Sequence, residues 1–383
     1  MKDREPFIKE RLFCPGPTPV PIEAKIAAVS NSVYHRTEEF FSTFYQCRQL
    51  LAPIFGGAGL PLILTSSGTG AMEAAVVNLT QTEDEVITVT AGKFGERWHD
   101  LTSAYGCKVH TLEVEWGSAP RAEQIVGLLK KHPKTKAIFI HANETSTGVY
   151  FPLEKFLKEI RKESDCLVVV DAISALGAHE MRMDDWKIDC VVSGSQKGFG
   201  IPPGLSFIAL SDRAWQQISK REKFYFDLKK EAKGQDKGAS AFTPASSLIA
   251  SLRVSLDKLH EYGIAQVLEH HRNMAHAVRD GILALGLDLV VKENFSHSLT
   301  SVWVPQGIDG SLLLKSLKDR YGAVFAGGQE KLKGRILRFA HLGFSDRFDV
   351  LSGMAALEFA LKDVGYQFDV GAGVTALMKS LTQ

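Results

Sequence analysis

One lysine, Lys197, carries the strongest chemical signal in this sequence. It follows the apolar residues 190–192 in a run of small residues, and Asp171 ends an earlier run of valines at 168–170. A lysine amine can form a Schiff base with an aldehyde cofactor, and a carboxylate can keep a pyridine nitrogen protonated so that the ring accepts electrons. The pair, 26 positions apart, therefore predicts a site for pyridoxal phosphate.

Both residues also have ordinary structural explanations. Most lysines are solvated surface residues, and an aspartate at the end of a strand can cap a turn. Lys197, however, is the only charged residue between positions 193 and 204, which is unusual for a surface lysine. If the two apolar runs are parallel strands, Asp171 and Lys197 emerge at the same edge of a sheet.

A second candidate segment, residues 64–73, passes from an apolar run through a hydroxyl-rich turn into a helical pattern. The free N–H groups of a helix start, joined by Ser67, Gly68 and Thr69, would suit a phosphate. Taken alone, a capped helix with a tight turn explains the segment better. The dinucleotide motif GxGxxG is disfavoured because its third glycine would fall at Glu73.

Two single residues add weaker signals. Phe94 begins a helical pattern after an apolar run and could stack on a flat ring, although a single aromatic residue is more often part of a core. Arg338 interrupts the apolar residues 336–340. Its guanidinium would suit a substrate carboxylate or, about equally well, a structural salt bridge.

The elements that must position these residues alternate between positions 60 and 210. Short apolar runs bounded by Gly, Pro, Ser or Asp predict strands at 63–65, 85–89, 137–141, 166–170, 190–192 and 206–210. Apolar residues at three-to-four spacing predict helices at 70–79, 95–105, 122–131 and 153–164. Several strands lack polar alternation, which is typical of a mostly parallel sheet covered by helices on both faces.

The second half of the chain predicts a smaller α+β domain. A long helical pattern at 246–285 breaks or bends at Gly263, and it is followed by predicted strands at 288–291, 299–304, 323–325 and 335–339. Helices are predicted at 310–321 and at 346–362, the latter capped by Ser345. The charged stretch 220–237 predicts a solvated helix and loop, whose aromatic triplet at 224–226 could pack at a subunit contact. We expect a large α/β domain at 16–255 and a small domain at 256–383, joined by segment 1–15.

Composition narrows the functional class. The 383 residues include 45 basic and 44 acidic side chains, so no charge excess indicates nucleic acid or an anionic membrane as partner. Five scattered cysteines without CxxC spacing predict free thiols in a reducing compartment. No apolar run reaches the roughly 18 residues of a membrane span, and the charged residues 1–6 do not begin a secretion signal. We expect a cytoplasmic protein that acts on small molecules.

The twelve histidines show no spacing that predicts a metal site. His270 and His271 are adjacent on a predicted helix and do not face one ligand, and neither HExxH nor a cysteine pair is present. The sequence therefore predicts no metal.

In order along the chain, these segments resemble the class V aminotransferases of the pyridoxal-phosphate fold type I, which share an aspartate aminotransferase-like fold. The likeness is to the alanine–glyoxylate and serine–pyruvate group. Each matching segment is weak by itself, but the series is specific: PGPTP at 15–19, HR at 35–36, SGTG at 67–70, FG at 94–95, ETSTG at 144–148, DAIS at 171–174, SGSQK at 193–197, TP at 243–244 and LR at 337–338.

The resemblance implies a role for each matching residue. Lys197 and Asp171 would be catalytic, Arg338 would hold the substrate carboxylate, and Thr243 would reach the cofactor phosphate of a neighbouring subunit in a homodimer with composite sites. The implied cofactor-binding residues are Ser67, Gly68, Thr69, Phe94, Thr145, Asp171, Gln196, Lys197 and Thr243. Phe94 departs from the tryptophan of the eukaryotic alanine–glyoxylate enzymes, and Phe242 replaces a more polar residue of some relatives, so the amino donor stays open.

The function that the resemblance implies is pyridoxal-phosphate-dependent transamination of a small amino acid, such as alanine or serine, with glyoxylate or pyruvate as acceptor. Other class V enzymes, acting on aspartate, ureidoglycine or a phosphonate, and a hydrogenase-associated subunit that retains the fold are the alternatives. A cysteine desulfurase is disfavoured because no cysteine follows Cys190 and because Gln196 stands where those enzymes have histidine. The absence of the third glycine of the GxGxxG motif also disfavours a nicotinamide-dependent dehydrogenase.

Overall fold

The computed structural model describes residues 7–30, 33–57 and 59–382. The strands are β1 (Arg11–Phe13), β2 (Leu62–Leu64), β3 (Glu85–Thr90), β4 (Lys108–Glu113), β5 (Ala137–His141), β6 (Asn143–Glu144), β7 (Val149–Tyr150), β8 (Leu167–Asp171), β9 (Cys190–Gly194), β10 (Ser206–Leu210), β11 (Leu299–Trp303), β12 (Ala323–Gly327) and β13 (Ile336–Ala340).

The helices cover both halves of the chain. They are α1 (Ile22–Val29), α2 (Glu38–Phe55), α3 (Gly68–Leu79), α4 (Lys93–Ala104), α5 (Ala122–Lys131), α6 (Leu153–Glu163), α7 (Asp212–Gln216), α8 (Leu228–Gln235), α9 (Ser246–Tyr262), α10 (Ile264–Ala284), α11 (Gly310–Tyr321), α12 (Arg347–Asp363) and α13 (Ala372–Leu381). Within the described ranges, none of them is long and apolar enough to cross a bilayer. The prediction about a secretion signal falls on residues 1–6, which lie outside the described residues.

A seven-stranded sheet in the order β2-β10-β9-β8-β5-β3-β4 forms the large domain. Strand β10 runs antiparallel to both of its neighbours, and the other six strands share one direction. Successive valines of β8 enter two different cores, Val168 and Val170 on one face and Val169 on the other. This two-sided burial explains the unbroken apolar runs, and it confirms the predicted α/β fold.

The sheet order brings the two chemically informative residues together. Strand β8 ends at Asp171, which is in register with Val192 of the parallel neighbour β9. Lys197 follows the end of β9 at Gly194 by three residues. Because both strands run the same way, their carboxyl ends open at one edge of the sheet.

The structure forms the predicted strands of this domain to within two residues at their ends, and it adds three that the sequence does not predict, namely β4 and the short pair β6 and β7. Strand β4 lies at the edge of the sheet and is half-buried or exposed along its whole length. Because Lys108, His110 and Thr111 are polar, this strand does not stand out as an apolar run in the sequence.

The small domain is built on a four-stranded sheet in the order β1-β12-β13-β11. Its core includes Phe13, Phe325 and Phe339, whose rings are in mutual contact. Two predictions were wrong here. Residues 288–291 form no strand beyond a single bridge from Leu289 to Val302, and the cap of α12 is not Ser345 but the next residue.

The actual cap, Asp346, shows why the boundary shifts by one residue. Its Oδ1 accepts hydrogen bonds from the backbone N–H groups of Phe348 and Asp349 at 2.8 and 2.9 Å. The carboxylate of Asp349 accepts in return from the N–H of Asp346 at 3.0 Å, which completes a capping box. A carboxylate at this position also complements the positive end of the helix dipole.

The helix pair α9 and α10 passes from the large core to the small one. Leu252 and Leu256 of α9 belong to the large core, whereas Met274 and Val278 of α10 belong to the small one. Gly263 has a φ of 85°, a conformation that favours glycine and ends one helix before the next begins. The first turn of α10 still packs on the large core, and the division between residues 255 and 256 stays a prediction.

Candidate active site

Lys197 lies in a half-buried position under the amino-terminal segment of the chain. Its Nζ donates a hydrogen bond to the backbone carbonyl of Pro15 at 2.5 Å. The backbone of Lys197 is held as well, because its carbonyl accepts a hydrogen bond from Thr18 Oγ1 at 2.8 Å. Burial, and after it the charge of Arg338, lowers the pKa of Lys197 to about 8. A larger fraction of this amine is therefore uncharged near neutral pH than in a solvated lysine, which makes it a better nucleophile.

Asp171 is buried, with 6% of its surface exposed. Its Oδ1 accepts a hydrogen bond from the backbone N–H of Ile173 at 2.8 Å. Burial raises the pKa of Asp171 to about 6, against the opposing effects of that hydrogen bond and of the Arg97 charge. A buried carboxylate of this kind is stabilised by a cationic partner, which a protonated pyridine nitrogen would supply.

Eight of the nine predicted cofactor-binding residues line one cavity of about 100 Å³. Its walls are Ser67, Gly68, Thr69, Phe94, Arg97, Thr145, Asp171, Ile173, Ser174, Gln196 and Lys197. The buried Oε1 atom of Gln196 has no hydrogen-bond partner among the described residues. An unpaired polar atom in a cavity wall favours a polar ligand there. A larger groove of about 460 Å³, lined by Tyr262, His270 and Phe344, contains none of the predicted residues.

The phosphate side of the cavity is the start of α3. Ser67 occupies the N-cap position, but its side chain accepts no hydrogen bond from the helix backbone. A Cβ atom at Gly68 would lie 2.6 Å from Ile173 Cδ1, so a larger residue there would force the Ile173 side chain to shift. The helix start therefore presents free N–H groups and the Ser67 and Thr69 side chains to the cavity, as a phosphate requires.

A fully buried carboxylate, Glu144, fixes the start of α4 and with it Phe94. Its Oε2 accepts hydrogen bonds from the backbone N–H groups of Phe94 and Gly95 at 3.1 and 2.9 Å. Its Oε1 accepts from the N–H and the hydroxyl of Ser146 at 2.9 and 2.7 Å. Glu144 stands in the ETSTG segment, but the sequence alone does not indicate its role because the helix that it caps lies 50 residues away.

Arg338 brings a second functional group from the small domain. It is 6% exposed on β13, and it donates to the carbonyls of Gly327 and Thr145, both at 2.9 Å. These bonds use Nε and Nη1, and no ion pair to Arg338 forms within the described part of the chain. The structural salt bridge that the sequence left open is thus not found. Burial lowers the pKa of Arg338 to about 10, and the nearby carboxylate of Glu144 opposes that shift.

Arg97 is a cavity residue that the sequence analysis missed. Its guanidinium carbon lies 5.1 Å from the centre of the Phe94 ring, within range of a cation–π contact. Arg97 lies one helical turn after Phe94 on α4, so the two share a face of the helix. That spacing was readable in the sequence, but the cavity beside it was not.

Thr243 is the one predicted cofactor residue that this cavity does not include. It is exposed beside a small depression that Thr65, Tyr225 and Phe242 also line. Thr65 Oγ1 accepts a hydrogen bond from the backbone N–H of Ala245 at 3.3 Å, which holds the segment near the start of α3.

The fold and the lining of the cavity agree with the family of enzymes that the sequence resembles, and comparison with known proteins shows the same family. The sequence model described as "Aminotransferase class-V" matches residues 22–334. The chain belongs to this family, and it is an aminotransferase.

Relatives match along nearly the whole chain. A serine–glyoxylate aminotransferase from Hyphomicrobium methylovorum is 34% identical over 96% of this chain and 94% of its own length. A soluble hydrogenase small subunit from Synechococcus sp. (strain PCC 6716) is 35% identical over 98% and 99%. The crystal structure of ureidoglycine–glyoxylate aminotransferase from Bacillus subtilis superposes with a TM-score of 0.94 at 27% identity, covering 98% of both chains.

Proposed function

We propose that this aminotransferase uses pyridoxal phosphate to move the amino group of a small amino acid, alanine or serine, to glyoxylate or pyruvate. One observation carries the proposal: the amine of Lys197 and the buried carboxylate of Asp171 line the same cavity, beside a helix start suited to phosphate. Transamination needs this combination of an amine, an acid opposite the ring nitrogen and an anion site.

The cavity residues would hold the cofactor at four points. Ser67, Gly68 and Thr69 would bind its phosphate, Phe94 would cover one face of its ring, and Asp171 would pair with its nitrogen. When bound, the cofactor supplies a ring that accepts the electrons released when the α-carbon of the substrate loses a proton. A negative charge at Asp171 favours the protonated, electron-accepting ring.

Arg338 would bind the carboxylate of the amino acid. Its guanidinium already makes two hydrogen bonds to carbonyls, so its orientation is fixed before a substrate arrives. Carboxylate binding by a guanidinium fork is directional, and it would place the α-carbon near Lys197. The amine of Lys197, with a pKa lowered to about 8, would then accept the proton from the α-carbon of the amino donor. In the second half of the exchange it would deliver a proton to the α-carbon of the acceptor.

We also propose a homodimer with composite sites. Thr243 lies outside the cavity of its own chain, on a surface that includes Phe224 and Tyr225, which are 73% and 47% exposed. Tyr225 stacks on Phe242 with ring centres 5.1 Å apart, and Lys230 Nζ lies 4.4 Å from the centre of the Phe242 ring. Exposed aromatic residues of this kind are enriched at protein interfaces, which favours contact with a second copy here.

The relatives support glyoxylate as an acceptor, because two of the three named above are glyoxylate aminotransferases. The relative named as a hydrogenase subunit keeps a second reading open, in which the chain assists another enzyme. Lys197 and Asp171 line one cavity, and Arg338 donates a hydrogen bond to the carbonyl of Thr145 in its wall, which favours catalysis by this chain. All five cysteines are unpaired in the structure, in keeping with our proposal of a reducing, cytoplasmic location.

The test starts from the visible spectrum of the purified protein. The protein should be yellow, lose that colour on borohydride reduction and carry the reduced cofactor on the peptide that contains Lys197. A panel of donors, namely alanine, serine, aspartate and ureidoglycine, against glyoxylate and pyruvate should then give ping-pong kinetics with one preferred pair. A colourless protein, or one that is reduced at another lysine, would overturn the proposal.

A further inference from the structure

Outside the candidate active site, Glu85, His110 and His132 form a cluster of metal-binding side chains. Glu85 begins β3, His110 lies on the adjacent edge strand β4, and His132 directly follows α5. The cluster is at the amino-terminal edge of the large sheet, whereas Asp171 and Lys197 are at the carboxyl edge. It therefore takes no part in the proposed transamination.

The three ligand atoms lie close together. His110 Nε2 lies 3.2 Å and His132 Nδ1 lies 3.9 Å from the same oxygen, Glu85 Oε2. All three atoms lie within 4.8 Å of one another. Ligands bonded at about 2.1 Å to a tetrahedral zinc ion lie about 3.4 Å apart. The imidazole rings are stacked with centres 3.4 Å apart, so at least one ring has to rotate for both nitrogens to face one ion.

The backbone around the cluster is fixed, although the side chains remain accessible. The carbonyl of Glu85 accepts a hydrogen bond from the N–H of Lys136 at 2.7 Å. The carbonyl of His132 accepts from the N–H and the hydroxyl of Thr135 at 3.0 and 2.7 Å. The three ligand side chains are between 25% and 29% exposed. An ion can reach them, and little of the chain must be ordered when it binds.

The surrounding charges leave Glu85 available for an ion. Two lysines whose backbones neighbour Glu85 have other partners, since Lys108 Nζ lies 2.9 Å from Glu83 Oε2 and Lys136 Nζ donates to Gln217 Oε1 at 2.7 Å. His132 also lies at the carboxyl end of α5, where the partial negative charge of the helix dipole favours a cation.

We propose that Glu85, His110 and His132 bind one divalent transition-metal ion of the zinc type, with water completing its coordination. Two imidazoles and one carboxylate suit zinc and related ions, whereas calcium and magnesium prefer an all-oxygen shell. The ion would tie β3 to the edge strand β4 and to the end of α5, so its role is to stabilise the fold. The sequence analysis predicted no metal because the ligands are 25 and 22 residues apart and match no metal-binding motif.

The experiment measures zinc binding to the cofactor-loaded, tag-free protein after removal of metals and of free cofactor. Competition with a chromophoric zinc chelator should show one ion per chain, and His110→Gln and His132→Gln should each weaken that binding at least about tenfold. His99→Gln is the matched control. The side chain of His99 reaches Thr111 at 2.9 Å, and Thr111 points to the opposite face of β4 from His110.

Two further readouts separate a built site from loose surface binding. Zinc should raise the melting temperature of the wild type and of His99→Gln but not that of the double variant His110→Gln/His132→Gln. Copper bound in place of zinc should show nitrogen coupling in its electron paramagnetic resonance spectrum, and this coupling should be lost in the double variant. The cofactor absorbance of each variant reports that the fold is intact. Failure of the wild type to bind zinc, or equal binding by the double variant, would overturn the proposal.

Discussion

The carboxylate of Glu144 accepts a hydrogen bond from the backbone N–H of Phe94 at 3.1 Å, across 50 residues of sequence. A second bond from Gly95 and two from Ser146 hold the same carboxylate, and His141 Nε2 lies 3.6 Å from its Oε2. A residue outside the cavity thereby sets the orientation of one of its walls. Glu144 is in this sense a positioning residue for the ring of Phe94.

We expect Glu144→Gln to weaken cofactor binding, although Glu144 does not line the cavity. The amide would place an NH₂ group against backbone N–H donors and lose a charge-assisted bond, which costs about 1–3 kcal/mol. Near-ultraviolet circular dichroism of the bound cofactor and its dissociation constant would measure the shift of Phe94. Ser146→Ala, which removes one donor to the same carboxylate and the acceptor of the Lys93 N–H but keeps the bonds from Phe94 and Gly95 to Glu144, is the milder comparison. An unchanged cofactor signal in Glu144→Gln would contradict the positioning role.

The lowered pKa of Lys197 predicts how fast the cofactor-free protein takes up pyridoxal phosphate. Only the uncharged amine attacks the aldehyde, so the rate should rise about tenfold per pH unit up to about pH 8 and then level off. Burial of the amine and the charge of Arg338 set this midpoint. Stopped-flow absorbance between about pH 6.5 and pH 9.5 measures it. A rate that continues to rise beyond pH 9 would show an ordinary, solvated lysine.

Asp171 should make the cofactor-free protein less stable as pH rises. Burial raises its folded pKa from 3.8 to about 6, so its contribution to stability is complete below about pH 4 and is lost as pH rises through 6. Asp171→Asn keeps the oxygen that Ile173 bonds and removes the buried charge. It should therefore be more stable than the wild type at pH 7, by as much as about 3 kcal/mol.

A second aspartate provides the control for that measurement. Asp189 is 2% exposed, but it pairs with Arg161 at 2.7 Å and with Arg213 at 2.5 Å. Asp189→Asn should lower the free energy of unfolding at pH 7, because it leaves two guanidinium groups without their anion. Opposite signs for the two variants in denaturant titrations are expected. Destabilisation by Asp171→Asn at pH 7 would contradict the burial argument.

Arg338→Lys should raise the KM for the amino donor about ten- to a hundredfold, because a lysine cannot reproduce a forked bond to a carboxylate. The cofactor spectrum should not change. Arg335→Lys is the matched control, since Arg335 is exposed three residues earlier and stacks on Trp303. Steady-state kinetics at varied concentrations of the amino donor measure this KM. An effect on kcat alone would assign Arg338 a different role.

Composite sites predict that two inactive variants restore each other. In a mixed dimer of Lys197→Ala and Thr243→Ala subunits, one site has both wild-type residues and the other has neither. Random mixing should return about a quarter of the wild-type activity. Co-expression with two different tags isolates the mixed dimer, and assays at limiting cofactor make the Thr243 defect visible. Absence of any recovery would place Thr243 outside the active site of a neighbour.

The sequence by itself determined six of the seven strands of the large sheet and the two residues at its edge. The short apolar runs at β5, β8 and β9 are strands with both faces buried, and at five residues each they are too short for a typical helix. Asp171 ends β8 and Lys197 follows β9, so their meeting required only that these strands be parallel neighbours. The N-cap of α12 was displaced by one residue, because Ser345 and Asp346 are both good caps and only their backbone geometry separates them.

Tertiary structure decided what depends on contacts between distant segments. Glu144 is one acid among 44 acidic residues in the sequence, and its role appears only when the start of α4 packs on it. Glu85, His110 and His132 come from three elements whose spacing matches no motif, and the unpredicted edge strand β4 brings one of them. Local patterns report burial and periodicity, whereas hydrogen bonds and ligand sets depend on distances that the chain fixes only after it has folded.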